Sequence, residues 1–176
     1  LNGELTQLVG PENFKIKLLH ESQISKPDYA ALTTFIEQLN EGRRQVMNTA
    51  EEFKELKSSF AYIQNTVLKA PQADINILAE LDKINKDLNN ISIALYGDRT
   101  KLKRESESYP GIVFRVEVAA GNIFEHTEAP TQSEQRSFEI AMEEHAEVRV
   151  SFEKAKSEIA AIAKKLDDAK APYFKH

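Results

Sequence analysis

The chain has 176 residues, 29% of them charged and 8% aromatic, with six glycines, six prolines, no cysteine and a formal net charge of -5. That length suffices for one domain with a real core, and the scarcity of turn formers suits helices better than a sheet sandwich. The acidic balance disfavours general nucleic-acid binding, and the lack of cysteine excludes disulfides and Cys-based zinc sites without deciding the compartment. No basic n-region followed by an apolar run marks a signal peptide, and no segment reaches the roughly 18 uninterrupted apolar residues of a transmembrane helix. A start at Leu1 rather than Met suggests a processed product or an excised fragment.

Residues 1–24 read differently from the rest. Val9-Gly10-Pro11-Glu12-Asn13 is a turn signal, and Phe14-Lys15-Ile16-Lys17-Leu18 alternates apolar and basic residues, the period of a half-buried strand. A lone strand needs a neighbour for its backbone groups. It is therefore read as the last strand of a preceding β-domain, with an extended segment lying on the bundle as the rival.

A long helix is predicted from Pro27 to about Lys69. Leu32, Leu39, Val46, Phe53, Phe60 and Val67 recur every seven positions, with Phe35, Gly42, Thr49, Leu56 and Ile63 three residues after the first five. That is one buried stripe close to a coiled-coil heptad, on a rod roughly 60 Å long. Such a stripe requires partner helices. Ser25 to Asp28 resembles a capping box, Pro27 suits the first turn, and Pro71 ends the helix. Glu51, Glu55, Lys54 and Lys57 read as a solvated outer face.

A second helix is predicted from Asp74 to Tyr96, with the stripe Ile77, Leu81, Ile84, Leu88, Ile91, Leu95, broken by Gly97. Residues 97–109 read as a polar loop. Its basic run Arg99, Lys101, Lys103 and Arg104 could hold a phosphate, but Glu105 and Glu107 follow at once and no Gly-rich loop accompanies it, so a solvated loop is the reading adopted. A short helix is expected from Pro110 to Phe124, with Ile112, Val116, Ala119, Ala120 and Ile123 inward. Its β-branched residues make strand the rival, and spacing leaves open whether it is separate or extends the second helix. Thr131-Gln132-Ser133-Glu134 is a capping box opening the last helix. Its rows are Phe138, His145, Phe152, Ile159, Leu166 and Ala141, Val148, Ala155, Ile162, Ala169. Glutamates crowd its first half and lysines its second, complementing the helix dipole; Pro172 ends it before a Tyr173–His176 tail. The fold class that follows is all-α: an up-and-down bundle of three long helices plus one short helix over residues 25–176, preceded by the extended segment 1–24. The helices are not copies at a fixed period, so a repeat array is not supported.

Catalytic signatures fail one by one. Glu-x-x-His is missing, because Met142 stands three residues before His145 and Ile123 before His126; His20-Glu21 is followed by Ser22, Gln23 and Ile24, so the zinc-protease pattern is missing too. No Walker loop, nucleophile elbow or dinucleotide glycine pattern occurs. His145 on the apolar row reads as a core-edge histidine rather than a ligand or pH-sensitive group, His126 between Glu125 and Glu128 as a surface loop, and Glu143/Glu144 as dipole complements. No catalytic, cofactor-binding or metal-binding residue is assigned, and no cofactor is implied.

Several of these pieces together resemble a known family. They are Leu8-Val9-Gly10-Pro11-Glu12-Asn13-Phe14-Lys15-Ile16-Lys17-Leu18, the long helix, Ile93-Ala94-Leu95-Tyr96, the Tyr109-Pro110 step, Ala129-Pro130-Thr131-Gln132-Ser133-Glu134-Gln135 and Pro172-Tyr173. Their order is similar to the C-terminal helical region of exported bacterial proteins built on a sortilin-like, BNR-repeat β-propeller and often labelled glycosyl hydrolases. One departure is that Ser106-Glu107-Ser108 precede the Tyr-Pro step, where that family commonly has Asn or Leu-Asn. The resemblance implies a periplasmic, cell-envelope or secreted parent, with any glycan-binding or hydrolytic site in the propeller. It implies a non-catalytic accessory or interaction module whose partners are the upstream domains of the parent or another protein, with no nucleic acid and no membrane insertion. The rivals are a coiled-coil oligomerisation or adaptor domain, suggested by the heptad row, and part of a glycosyl hydrolase.

Overall fold

The computed structural model describes residues 10, 12–15, 26–69, 75–125 and 129–168. Within them the chain is all-helical: α1 (Lys26–Lys69), α2 (Ile75–Tyr96), α3 (Arg99–Lys103), α4 (Ile112–Glu125) and α5 (Gln132–Asp168). Of the strand expected over Phe14–Leu18, only Phe14 and Lys15 are described, and they form no regular structure. The rest of that segment, the Ser25 cap, His126 and the tail after Asp168 lie outside the described residues.

Cross-helix contacts give the topology. Phe35 meets Phe138, Thr49 meets His145 and Glu52 meets Arg149, so α1 and α5 run parallel. Glu80 pairs with Lys165, Lys83 with Glu158 and Asp87 with Lys154, so α2 runs antiparallel to both. The Tyr96 hydroxyl donates to the Ala50 carbonyl at 3.3 Å, fixing the end of α2 near the middle of α1. From there α4 takes over the third position, with Glu117 paired to Arg43 of α1 and Arg115 to Glu144 of α5. The bundle thus has three rods in cross-section: α1 up, α2 followed by α4 down, α5 up. This answers the question left by spacing. Residues 112–125 form a separate helix that continues the second.

The predicted rows are the core. Every member from Leu32 to Val67 is buried, Gly42 and Thr49 included, as are the α2 stripe and the α5 rows as far as Leu166. The strand rival for residues 112–118 lost because Ile112, Val116, Ala119, Ala120 and Ile123 share one helical face that closes on α1 and α5. The α5 cap forms as read: Glu134 Oε2 accepts from the Thr131 amide at 2.8 Å and Thr131 Oγ1 from the Glu134 amide at 3.2 Å.

Two boundaries differ from expectation. The loop expected over 97–109 contains α3, because the Asp98 carboxylate accepts from the amides of Thr100 and Lys101 and caps a single short turn. The short helix begins at Ile112 rather than Pro110. The carbonyl of Gly111 accepts its first bond, from the Arg115 amide, and Gly111 itself is wedged against the end of α2.

Candidate functional site

Two departures from a plain bundle occur at the same height, halfway along α1. One is a polar pair in the core and the other is the junction between α2 and α4.

The junction is built by two glycines. Gly97 has φ +80° and its amide donates to the Ile93 carbonyl at 2.7 Å, a left-handed cap that stops α2. Gly111 lies so close that a Cβ there would stand 2.6 Å from the Leu95 carbonyl oxygen. Residues 98–110 leave the rod at one glycine and return at the other. Their departure opens a groove of about 500 Å³ between α2 and α5, floored by Ile91, Ala94 and Val148 and rimmed by Tyr109, Glu144 and Glu147. Tyr109 is 91% exposed.

The polar pair is Thr49 of α1 and His145 of α5, 2% and 6% exposed. The Thr49 hydroxyl donates to the Gln45 carbonyl at 3.0 Å, the back-bond expected of threonine in a helix. The same oxygen lies 2.9 Å from His145 Nε2, a buried hydrogen bond that joins the two helices. Burial pushes the imidazole below its ordinary pKa of 6.5, and the positive Arg149 adds to the effect. A folded-state pKa below the unfolded value means that the unfolded chain binds more protons. The stability contributed by neutral His145 is therefore complete above pH 6.5 and is lost as the pH falls from there through the lowered folded value.

Arg149 is held by Glu52 at 2.8 Å and by Glu153, and its guanidinium lies 5.0 Å from the Phe152 ring centre. Two turns from Thr49 toward the N-terminus of α1, Gly42 accommodates Phe138. A Cβ at Gly42 would stand 2.7 Å from that ring and 2.9 Å from Met142 Sδ.

The other sequence candidates are dispersed. Arg99 lies over the Tyr96 ring, Lys101 reaches the groove, and Lys103 and Arg104 are exposed, so the basic run has no common focus. Glu143 pairs with Arg136 and Glu144 with Arg115, so these neighbours do not form a carboxylate pair. Among the described residues, no three His, Asp or Glu side chains gather to hold a metal ion. Sequence reading missed Thr49 as the partner of His145. The signal was present: each is the polar member of an otherwise apolar or small row, but only the fold brings the two rows face to face. No protein-family model, curated protein or solved structure matches the chain.

Proposed function

We propose that the chain is a non-catalytic helical module that packs on, or is recognised by, other protein. The observation that carries this reading is the closure of the apolar rows within one chain. The heptad row of α1, which alone would suit a coiled-coil oligomer, is covered by α2, α4 and α5. What remains outward is a set of charged seams with scattered exposed apolar residues, among them Tyr109 and Phe114 near the junction and Leu68 and Val150 away from it. The resemblance to the C-terminal region of exported bacterial BNR-repeat, sortilin-like propeller proteins supports an accessory role in a larger parent. Its contacts would then be the parent's upstream domains, and glycan chemistry would belong to the propeller.

The test is the solution mass by size-exclusion chromatography with light scattering. The expected value is that of one 19.9 kDa chain. A stable dimer would move the reading to an oligomerisation or adaptor domain. Turnover of a glycoside by the purified chain would overturn the non-catalytic part of the proposal.

A further inference from the structure

We infer that residues 97–110 are an appended element: a two-heptad insert in what is otherwise one continuous α2/α4 helix, carried by the bundle but not needed for its folding.

Phase is the first support. Ile91 and Ile112 are 21 positions apart, and so are Leu95 and Val116. Ile84 and Ala119 are 35 apart, as are Leu88 and Ile123. Both separations are whole heptads, so the two buried rows of α2 resume in α4 without a slip. Length is the second support. The Tyr96 hydroxyl reaches the Ala50 carbonyl, and Glu117 reaches Arg43, seven positions earlier on α1. An unbroken helix beside α1 would cover that stretch with about seven residues. The chain spends 21, and the surplus of two heptads is the length of segment 97–110. Contact is the third. A Cβ at Gly111 would stand 2.6 Å from the Tyr96 carbonyl carbon, so the backbone could pass from residue 96 to residue 111 with a small shift. Phase alone does not announce this continuity, because polar residues interrupt the rows; the Gly111 contact supplies it.

The segment gives the core nothing. From Asp98 to Pro110 no described side chain is buried. Its hydrogen bonds close on itself. The Asp98 amide donates to Ser108 Oγ, the Asp98 carboxylate accepts from the amides of Thr100 and Lys101, and the Ser106 amide donates to the Lys101 carbonyl. Toward the rods it offers Arg99 over the Tyr96 ring, an exposed contact of small worth. A self-bonded loop whose ends touch can leave without opening the layers beneath it. Tyr109 and the rim it gives the groove are then surface added to a complete bundle, where residues can change without disturbing the fold.

Thermal unfolding followed by circular dichroism tests this on the whole chain and on a chain lacking residues 97–110, with Tyr96 joined to Gly111. The shortened chain is expected to unfold cooperatively, with a midpoint no more than about 5 °C below the native one. A larger fall, or loss of cooperativity, would overturn the inference. Gly111→Ala gives a second readout. In the native chain its methyl group would press on the Leu95 carbonyl oxygen, and the midpoint should fall by about 3 °C or more. In the shortened chain the same residue lies inside a helix, where alanine outdoes glycine, and the midpoint should rise by about 3 °C. The same sign in both chains would refute continuity. Finally, two alanines returned at the join turn α4 by about 200° and should lower the midpoint of the shortened chain by more than about 5 °C. If they do not, the phase match is accidental and the insert reading falls.

Discussion

The two ends of the bundle share α1 and α5 but are held in different ways. Toward the α1/α2 end, the core is made of large side chains throughout: Ile77, Leu81, Ile84, Leu88 and Ile91 of α2 against Phe60, Ile63, Phe152, Ile159 and Ile162. Toward the α4/α5 end, Ala119, Ala120, Ala141 and Gly42 leave room for the Phe35 and Phe138 rings, which meet edge to face at 5.9 Å. The first end is stabilised by volume, the second by a match of large against small. Removing atoms should therefore hurt the first most, and adding atoms should hurt the second. Salt bridges do not separate the two ends, since both carry exposed pairs of the kind that contribute little.

The largest effect is expected where volume dominates. Leu88 is 2% exposed in the centre of the α2 stripe. Leu88→Ala leaves a cavity that a closely packed three-helix layer cannot collapse, and should cost about 3 kcal/mol of unfolding free energy. A urea titration reads this as a lower midpoint at unchanged slope. A loss under about 1 kcal/mol would mean that the layer relaxes into the space and that the contrast between the ends is wrong.

The comparison sharpens when one substitution is made at two glycines. Gly42 and Gly121 are both helical and both in the α4/α5 end. At Gly42 a methyl group would press into Phe138 and Met142, whereas at Gly121 it would meet nothing within 4 Å. Overpacking of this kind costs about 1–3 kcal/mol, while alanine in place of a helical glycine returns up to about 1 kcal/mol. Gly42→Ala should therefore destabilise by about 1 kcal/mol and Gly121→Ala stabilise by about 1 kcal/mol. Thermal denaturation of the two variants side by side checks the opposite signs. Equal shifts would show that Phe138 moves aside freely and that the size key at Gly42 is not there.

How far the sequence announced this architecture depends on the range of the forces involved. The heptad row from Leu32 to Val67 and the row from Phe138 to Leu166 were legible because a single amphipathic period marks every buried position on a helix. The Thr131–Glu134 cap was legible because its partners are three residues apart. The turn of α3 was overlooked although Asp98 stands at capping distance from Thr100 and Lys101, because five residues show no hydrophobic period. The continuation of α2 by α4 was not legible. It rests on Gly111 touching the Leu95 carbonyl across a polar excursion, a contact that no local pattern encodes. The candidate site was half legible. His145 stood out on its row, but Thr49, 96 positions away, became its partner only through the parallel pairing of α1 and α5.

The most local of the expected effects concerns how the α4/α5 end sets the phase of α5. The size key at Phe138 and the polar key at His145 work only if α5 starts where it does, one residue after Thr131. The capping box fixes that start with two reciprocal bonds, and Glu134 is 8% exposed, so its carboxylate is held against the bundle rather than in solvent. Thr131→Ala removes the bond from the Glu134 amide but leaves the backbone amide of residue 131 to bind the Glu134 carboxylate. The loss should be about 1 kcal/mol in total stability. It should be accompanied by faster amide exchange confined to the first turn of α5, with protection at residues 145–149 unchanged. If the mid-helix amides of α5 also lose protection, the cap and the Thr49–His145 contact form one cooperative unit, and the division of the bundle into independently held regions must be redrawn.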